Sequence, residues 1–353
     1  MGEVNFRAKF IQNYSSLESA TLPPARLQEF LKHYVLDPNS NIDMPVLFNV
    51  IAKNTLPLKQ RFEVWKVVLE ISSQYSAHRK AIDDCRLSEA THAYKTTRLF
   101  FKEKVSSQKN DTKIPEEPST SLTNSTTSIE QQVIAVKPED RNIFYMVLHT
   151  RPKRTRGEKP NKTSEDALRC IVMHIYPQCE KYATSNFLYW VDAYWIIKRI
   201  DNLLESKFPT DKDILKMKKF YESVKLQVSK LQKQHTAECL KIKKPTGGYI
   251  ITDAIMILWF RSGGSNWLRN KTILKFWDKL IMLDNIELIL REVYLDLLES
   301  TFAFHLSTSS SNTEGLAISL ILPEDKEQKI VLATVKKLYT ARQVSFRKED
   351  LCG

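Results

Sequence analysis

The chain has 353 residues and a formal net charge of +12, and 42% of its residues are hydrophobic, which is enough for a sizeable buried core. Only 8 residues are glycine, which argues against dinucleotide-binding α/β folds and β-rich folds, because these need glycine at turns and close backbone approaches. The longest strongly apolar stretch, residues 249–260, is too short to span a bilayer, and no signal-peptide pattern precedes Phe10. We therefore expect a cytoplasmic protein.

Apolar residues recur at helical spacing through most of the chain, and this periodicity predicts amphipathic helices. A pair of prolines begins the first helix, Ser164 is the predicted N-cap of a later one, and Pro177 is expected to end that later helix. Strand signals are weak, with residues 317–322 as the one β-like run, so the predicted fold class is all-α. The predicted helices cover residues 24–34, 43–52, 56–69, 75–101, 139–150, 167–176, 185–207, 210–241, 252–260, 267–282, 285–305 and 328–347.

The composition changes abruptly over residues 105–132, which are rich in Ser, Thr, Asn, Asp and Glu and contain few large apolar residues. Such a segment cannot bury enough apolar surface to offset the entropy lost on ordering, so it is predicted to be a disordered insertion. It divides the chain into an N-terminal helical lobe over residues 1–104 and a second over residues 133–353. The two lobes are expected to belong to one domain.

Cysteine and histidine usage gives no sign of metal or cofactor chemistry. The 5 cysteines are odd in number and never form a C-x-x-C pair, which favours reduced thiols in the core over disulfides or metal ligands. The 7 histidines are equally scattered and form no H-E-x-x-H motif, and no Gly-rich phosphate loop is present. We therefore expect no metal site and no bound cofactor.

Residues 151–162 hold 6 basic residues and 1 acidic residue, together with Pro, Gly and Asn, so a loop is predicted there. Three interpretations are open: a solvated loop, a contact with an acidic membrane or acidic protein, and a contact with nucleic acid. No aromatic residue is interleaved with the charges for stacking on bases, so we expect no nucleic-acid partner. The basic residues at issue in a membrane contact are Arg151, Lys153, Arg154 and Arg156.

Four segments in chain order carry a family resemblance. Residues 56–69 place Arg61 and Trp65 four residues apart at the start of a helix that follows a proline. This arrangement resembles the signature that begins TBC domains, the all-helical domains that accelerate GTP hydrolysis on Rab GTPases. Residues 166–176 resemble the helix before the family's Gln finger, residues 250–261 its buried helix, and residues 273–278 its Trp-Asp helix. The resemblance implies a TBC-domain helical fold over most of the chain except residues 105–132.

Within that family, the chain is most similar to the small members that serve as a subunit of the tuberous sclerosis complex. The similarity lies in Asn5-Phe6-Arg7, Trp65-Lys66-Val67, Tyr194–Arg199 and Trp277-Asp278-Lys279. The resemblance implies a scaffold subunit of a complex that acts as a GAP for Rheb and restrains TORC1 signalling. It also implies possible recruitment to a lysosomal or vacuolar membrane.

The two catalytic side chains of TBC enzymes, an Arg finger and a Gln finger, are not in their motifs here. Phosphoryl transfer needs a guanidinium to stabilise charge and an amide to position water. The nearest register for the family's I-x-x-D-x-x-R motif places Asn142 at the Arg position and Arg141 about 100° away around a helix. Gln178 follows Tyr176 in a pattern like Y-x-Q. The interpretation is a non-catalytic GAP-like domain; the alternative is an active Rab GAP with Arg141 and Gln178 as displaced fingers.

The resemblance implies docking onto the coiled coil of the complex's large scaffolding subunit and, through it, association with the Rheb GAP subunit. Helix-in-groove docking would require apolar anchors at helical spacing, and the predicted helix over residues 139–150 offers Phe144, Tyr145 and Leu148. Phe10 is a further candidate for the same groove. The alternative is that these side chains pack inside the domain. A third hypothesis is an unrelated helical adaptor whose basic loop meets a membrane or an acidic protein.

Overall fold

The structure is a computed structural model that describes residues 22–37, 39–109, 140–151, 162–182, 189–209, 215, 217–241, 252–307 and 322–341. Twelve helices and no strand occur in these ranges, which confirms the prediction of an all-α fold. The helices are α1 (Pro24–Tyr34), α2 (Met44–Lys53), α3 (Leu58–Val68), α4 (Ser76–Lys109), α5 (Asp140–Thr150), α6 (Lys162–Tyr182), α7 (Tyr189–Lys207), α8 (Lys218–Lys241), α9 (Asp253–Arg261), α10 (Asn270–Leu280), α11 (Ile286–Ser307) and α12 (Glu324–Thr340).

Several helices begin where local capping chemistry places them. Pro24 occupies the first position of α1, where its missing N–H costs nothing. The side chain of Asp43 accepts a hydrogen bond of 3.3 Å from the backbone N–H of Val46 at the start of α2. Thr252 does the same for Ile255 at the start of α9, again at 3.3 Å. These caps satisfy backbone donors that would otherwise lack partners in the first turn.

The predicted end of a helix at Pro177 is wrong, because α6 continues through this proline to Tyr182. Pro177 is exposed, while Tyr176 and Cys179 on either side of it are buried. The apolar stripe of the helix therefore runs past the proline, and packing of that stripe outweighs the lost hydrogen bond. The predicted N-cap is also wrong, because α6 begins at Lys162 and Ser164 is buried in its first turn.

The helix α4 extends to Lys109, which is five residues beyond the predicted boundary of the N-terminal lobe. The remainder of the predicted insertion, residues 110–132, lies outside the described residues. The β-like run over 317–322 also lies outside them, apart from Leu322.

One contiguous apolar core joins the helices of the described chain, from Leu27 in α1 to Leu338 in α12. At one end of the fold α5, α6 and α7 pack on one another, and α4 packs on α5 and α7. At the other end α11 packs on α8 and α12, and α10 packs on α12. The helix α9 contacts α6, α7 and α11, so it lies between the two ends, and α3 packs on α6 and α7.

None of the helices within the described ranges is long and apolar enough to cross a bilayer.

Candidate functional site

The carboxylate of Asp278 on α10 is the centre of a buried polar site. It accepts hydrogen bonds from Nε of Arg61 at 2.8 Å, from Nη2 of Arg61 at 3.0 Å and from Nε1 of Trp65 at 2.9 Å. Arg61 and Asp278 are each 1% exposed, and Trp65 is fully buried. Two of the four segments that carry the family resemblance, residues 56–69 and 273–278, therefore meet at one carboxylate.

Helical spacing explains why two residues of α3 reach the same carboxylate. Arg61 and Trp65 are four residues apart and thus lie on one face of the helix, one turn apart. A further hydrogen bond of the guanidinium is local, since Nη2 of Arg61 also donates to the backbone oxygen of Leu56 at 2.9 Å. Burial raises the pKa of Asp278, and the Arg61 guanidinium limits that rise.

The residues beside Asp278 attach α10 to two other parts of the fold. Nε1 of Trp277 donates to the backbone oxygen of Gly263 at 2.9 Å. Gly263 has a φ of 59°, and a Cβ there would lie 3.0 Å from Leu204 and 3.1 Å from Trp277, so the close approach requires glycine. On the other side, the Lys279 ammonium donates to backbone oxygens at the end of α2 and just beyond it, including that of Asn54 at 2.6 Å.

A second buried polar network is centred on Asp201 of α7. Its carboxylate accepts two hydrogen bonds of 2.8 Å from Arg151 and one of 2.8 Å from Arg261, and both Asp201 and Arg261 are fully buried. Glu205 accepts a further hydrogen bond of 3.0 Å from Arg261. Arg151 also donates to the hydroxyl of Ser164 at 2.8 Å. The network therefore joins the end of α5 to α6, α7 and α9.

Arg151 is the first residue of the basic segment over residues 151–162, and its place in this network corrects the interpretation of that residue. The side chain of Arg151 is 10% exposed and is held by Asp201, so it belongs neither to a solvated loop nor to a membrane-facing patch. Residues 152–161, including Lys153, Arg154 and Arg156, lie outside the described residues.

Replacing Arg151 with Ala is expected to lower the free energy of unfolding by about 1.5–3 kcal/mol, because charge-assisted hydrogen bonds to Asp201 are lost. The loss of stability in Arg151→Lys should be intermediate between zero and that in Arg151→Ala, since an ammonium cannot form the paired contact with the carboxylate. The measurement is urea denaturation of the full chain. Lys218→Ala is the control, because Lys218 is 67% exposed in its side chain and pairs with Glu222 across 3.8 Å. Equal midpoints for Arg151→Ala and Lys218→Ala would contradict this prediction.

A groove of about 830 Å³ lies between the start of α1, residues 53–58, the C-terminal part of α6 and the start of α10. Its described lining includes four lysines and no carboxylate, so the groove has a positive charge. The lysines are Lys53, Lys181, Lys271 and Lys275. Lys275 donates to Oε1 of Gln328 at 2.9 Å, which directs that ammonium toward α12.

The two predicted finger residues are placed differently by the structure. Gln178 is half-buried, lies within α6 rather than on a loop, and contributes to the lining of the groove. Arg141 lies in the first turn of α5, and its side chain is outside the described part of the structure. Asn142 follows it and is half-buried. No described residue of α5 lines the groove that contains Gln178.

The predicted docking helix is observed as α5, but its three anchors are not equivalent. Phe144 is 4% exposed, and the guanidinium of Arg169 covers its ring at 4.6 Å, so Phe144 is a core residue and not an accessible anchor. Tyr145 and Leu148 are half-buried and pack partly against the core. Phe10 lies outside the described residues.

The cysteines include two buried ones, Cys179 and Cys239, and no disulfide occurs among the four that the structure describes. One of them, Cys239, lies close to His235 and His305, and the three form a group of potential metal ligands. No metal site was predicted, because the histidines and cysteines lack the spacings of zinc-finger motifs. The spacing of four residues between His235 and Cys239 on one helix was the available signal.

No family model matches the chain, and no curated protein matches it significantly. The TBC resemblance therefore stays a prediction that rests on the residues described above.

Proposed function

We propose that this chain is a non-catalytic TBC-type scaffold subunit that binds a coiled-coil partner and stabilises a tuberous-sclerosis-type Rheb GAP complex that restrains TORC1 signalling. The observation that carries the proposal is the site at Asp278. Arg61 and Trp65 come from the segment that resembles the start of a TBC domain, and Asp278 comes from the segment that resembles its Trp-Asp helix. The two segments that resemble parts of a TBC domain therefore share one buried contact.

The position of Asn142 supports the non-catalytic part of the proposal. Asn142 stands in the register where the family has its Arg finger, and an uncharged amide cannot stabilise the negative charge that develops on the transferred phosphoryl group. Gln178 lies in the C-terminal part of α6, where the helical backbone limits its reach compared with a loop residue. A domain with this arrangement can bind partners without accelerating GTP hydrolysis.

The surface of α5 is the proposed contact with the coiled coil. Tyr145 and Leu148 are three residues apart, so they lie on one face of the helix, and each retains partial exposure. An aromatic and an aliphatic anchor at this spacing suit packing against the helices of a coiled coil. Within the proposal, the assembled complex recruits the chain to lysosomal or vacuolar membranes.

Affinity purification of the tagged full chain with mass spectrometry tests this proposal. We expect a long coiled-coil protein and a Rheb-type GAP to co-purify with the unmodified chain. The double variant Tyr145→Glu and Leu148→Glu should lose both proteins, because two charges would be buried in an apolar contact. The control is Leu226→Glu, since Leu226 is 59% exposed on α8.

The two positions of α5 also touch the core, so the double variant is compared with the unmodified chain by thermal unfolding. If the double variant unfolds cooperatively at a similar temperature and still retains the coiled-coil protein, α5 is not the docking surface. If neither the coiled-coil protein nor a Rheb-type GAP is retained by the unmodified chain, the scaffold proposal is wrong.

The alternative function, an active Rab GAP, has one observation in its favour: Gln178 lines a basic groove of about 830 Å³. It predicts that the purified chain accelerates GTP hydrolysis by a Rab GTPase and that Arg141→Ala or Gln178→Ala abolishes the acceleration. Under the scaffold proposal we expect hydrolysis at the intrinsic rate across a panel of Rab GTPases. Acceleration that both substitutions remove would replace the scaffold proposal with the enzymatic one.

A further inference from the structure

Three residues that commonly bind transition metals meet at the contact between α8 and α11. His235 and Cys239 lie on α8, His305 lies near the end of α11, and all three side chains are buried. One ligand atom from each residue lies within 4.8 Å of those of the other two. The group is therefore compact enough to surround one ion after small side-chain adjustments.

The observed separation of sulfur and nitrogen agrees with zinc coordination. Bonds of about 2.3 Å from zinc to sulfur and about 2.05 Å from zinc to nitrogen, at a tetrahedral angle, place the two ligand atoms about 3.6 Å apart. Sγ of Cys239 lies 3.5 Å from Nε2 of His235. A thiol–imidazole hydrogen bond has a similar length, so the third residue distinguishes the two interpretations. The ring of His305 faces His235 in an edge-on arrangement with 5.2 Å between centroids.

The orientation of the first ligand is set by packing. The ring of His235 stacks on Phe302 with 4.6 Å between centroids and 12° between planes. Cys239 lies one turn further along α8 on the same face, so both residues point toward α11. A ligand pair held in this way loses little conformational entropy when it binds an ion.

The burial pattern of α8 is unusual for a helix that is held by apolar packing alone. Its buried side chains are Tyr221, Val224 and Val228 in the first half, and only His235 and Cys239 beyond them. Leu240, next to Cys239, is 67% exposed. The second half of α8 thus directs a histidine and a cysteine inward and a leucine outward. The main described neighbour of α8 is α11, which carries the third ligand.

We propose that His235, Cys239 and His305 form a zinc site that fastens the C-terminal half of α8 to α11. Two imidazole nitrogens and one thiolate suit zinc far better than Mg²⁺ or Ca²⁺, which prefer oxygen ligands. Three protein ligands leave one tetrahedral position for a water molecule. Binding requires the thiolate, so each Zn²⁺ bound by the Cys239 thiol releases one proton to solvent. Helix α11 ends two residues beyond His305, and a helix C-terminus favours a nearby cation.

The test uses the full chain without a polyhistidine tag, stripped of metal by a chelator and titrated with Zn²⁺ and, separately, with Co²⁺. We expect one Zn²⁺ per chain and a higher melting temperature with zinc. The Co²⁺ form should show a thiolate-to-cobalt charge-transfer band and the intense visible bands of tetrahedral cobalt. A Co²⁺ spectrum with weak octahedral bands and no charge-transfer band would overturn the proposal without any variant.

Three variants locate the metal. Cys239→Ala should remove the charge-transfer band and weaken zinc binding by more than about 100-fold, because losing an outer-shell partner alone typically costs about 10–100-fold. His305→Gln should weaken zinc binding while the thiolate band remains. The matched control is Cys85→Ala, since Cys85 is an exposed thiol on α4 and should change neither measurement. Far-UV circular dichroism of the metal-free variants establishes that each is folded.

Two results of the zinc titrations would reject the site. The first is zinc binding of unchanged affinity in folded Cys239→Ala or His305→Gln, and the second is loss of binding in Cys85→Ala. Either would place the metal on other residues. A melting temperature of Cys239→Ala that rises with zinc as much as that of the unmodified chain would likewise contradict the proposal. None of these results bears on the scaffold function, which depends on α5 and not on α8.

Discussion

Replacing Asp278 with Ala is expected to lower the free energy of unfolding by about 3–5 kcal/mol, because the substitution leaves the Arg61 guanidinium buried without its counter-charge. Arg61 is 1% exposed and donates two of its hydrogen bonds to this one carboxylate. The indole N–H of Trp65 would lose its partner as well. The measurement is equilibrium denaturation of the full chain in urea.

The paired substitution separates the cost of an orphaned charge from the contribution of the ion pair itself. Arg61→Met combined with Asp278→Leu should recover a large part of the stability lost in Asp278→Ala, since apolar residues of similar volume often replace a buried ion pair at little cost. The control is Asp253→Ala, which removes the partner of Lys225 at an exposed ion pair and should change stability by less than about 1 kcal/mol. If the Asp278→Ala variant is no less stable than the Asp253→Ala variant, the buried site contributes nothing to the free energy of unfolding.

Trp65→Ala is the second substitution for which a large effect is expected, a loss of roughly 3–5 kcal/mol, since it opens a cavity in the core. Trp65 is fully buried, and its ring packs against those of Phe62 and Trp277 with centroids 5.5 Å and 6.2 Å away. Trp65→Phe should cost clearly less, because it keeps most of the ring volume and loses the single hydrogen bond to Asp278. Thermal and urea denaturation measure both variants.

The control for Trp65 is Tyr75→Ala, because Tyr75 is an aromatic residue with 54% exposure. We expect it to change stability by less than about 0.5 kcal/mol, as surface substitutions commonly do. If the Trp65→Ala variant is as stable as the unmodified chain, there is no physical basis for placing α3 at the centre of the fold. The scaffold proposal would then lose the observation on which it rests.

Helix formation in this chain was largely predictable from sequence, because the signals are local. The predicted helix over residues 24–34 has the same bounds as α1, and the caps at Asp43 and Thr252 act within their own first turns. The failures occur where a distant contact outweighs a local signal. Pro177 predicts a helix end, yet the buried residues on both sides of it keep α6 helical to Tyr182.

The two candidate sites differ in how much of each the sequence could reveal. The four-residue spacing of Arg61 and Trp65 and the Trp-Asp pair on α10 are visible as separate motifs, but their meeting at Asp278 joins residues 217 positions apart. The group at His235 was missed because its third member lies on another helix. Phe144 is an error of the opposite kind, because it was predicted as a docking anchor and is buried in the core. Its apolar character fits an exposed anchor and a core residue equally well.

The sequence by itself determined the helical class, the position of most helices and the residues available for chemistry, because periodicity, capping and composition act over a few residues. The tertiary structure alone decided which polar groups are buried together. Arg151 illustrates the reason: in sequence it begins a basic segment, whereas the structure places it against Asp201, 50 positions away. Whether a charge faces water or an opposite charge depends on which helices pack against it, and no local pattern contains that information.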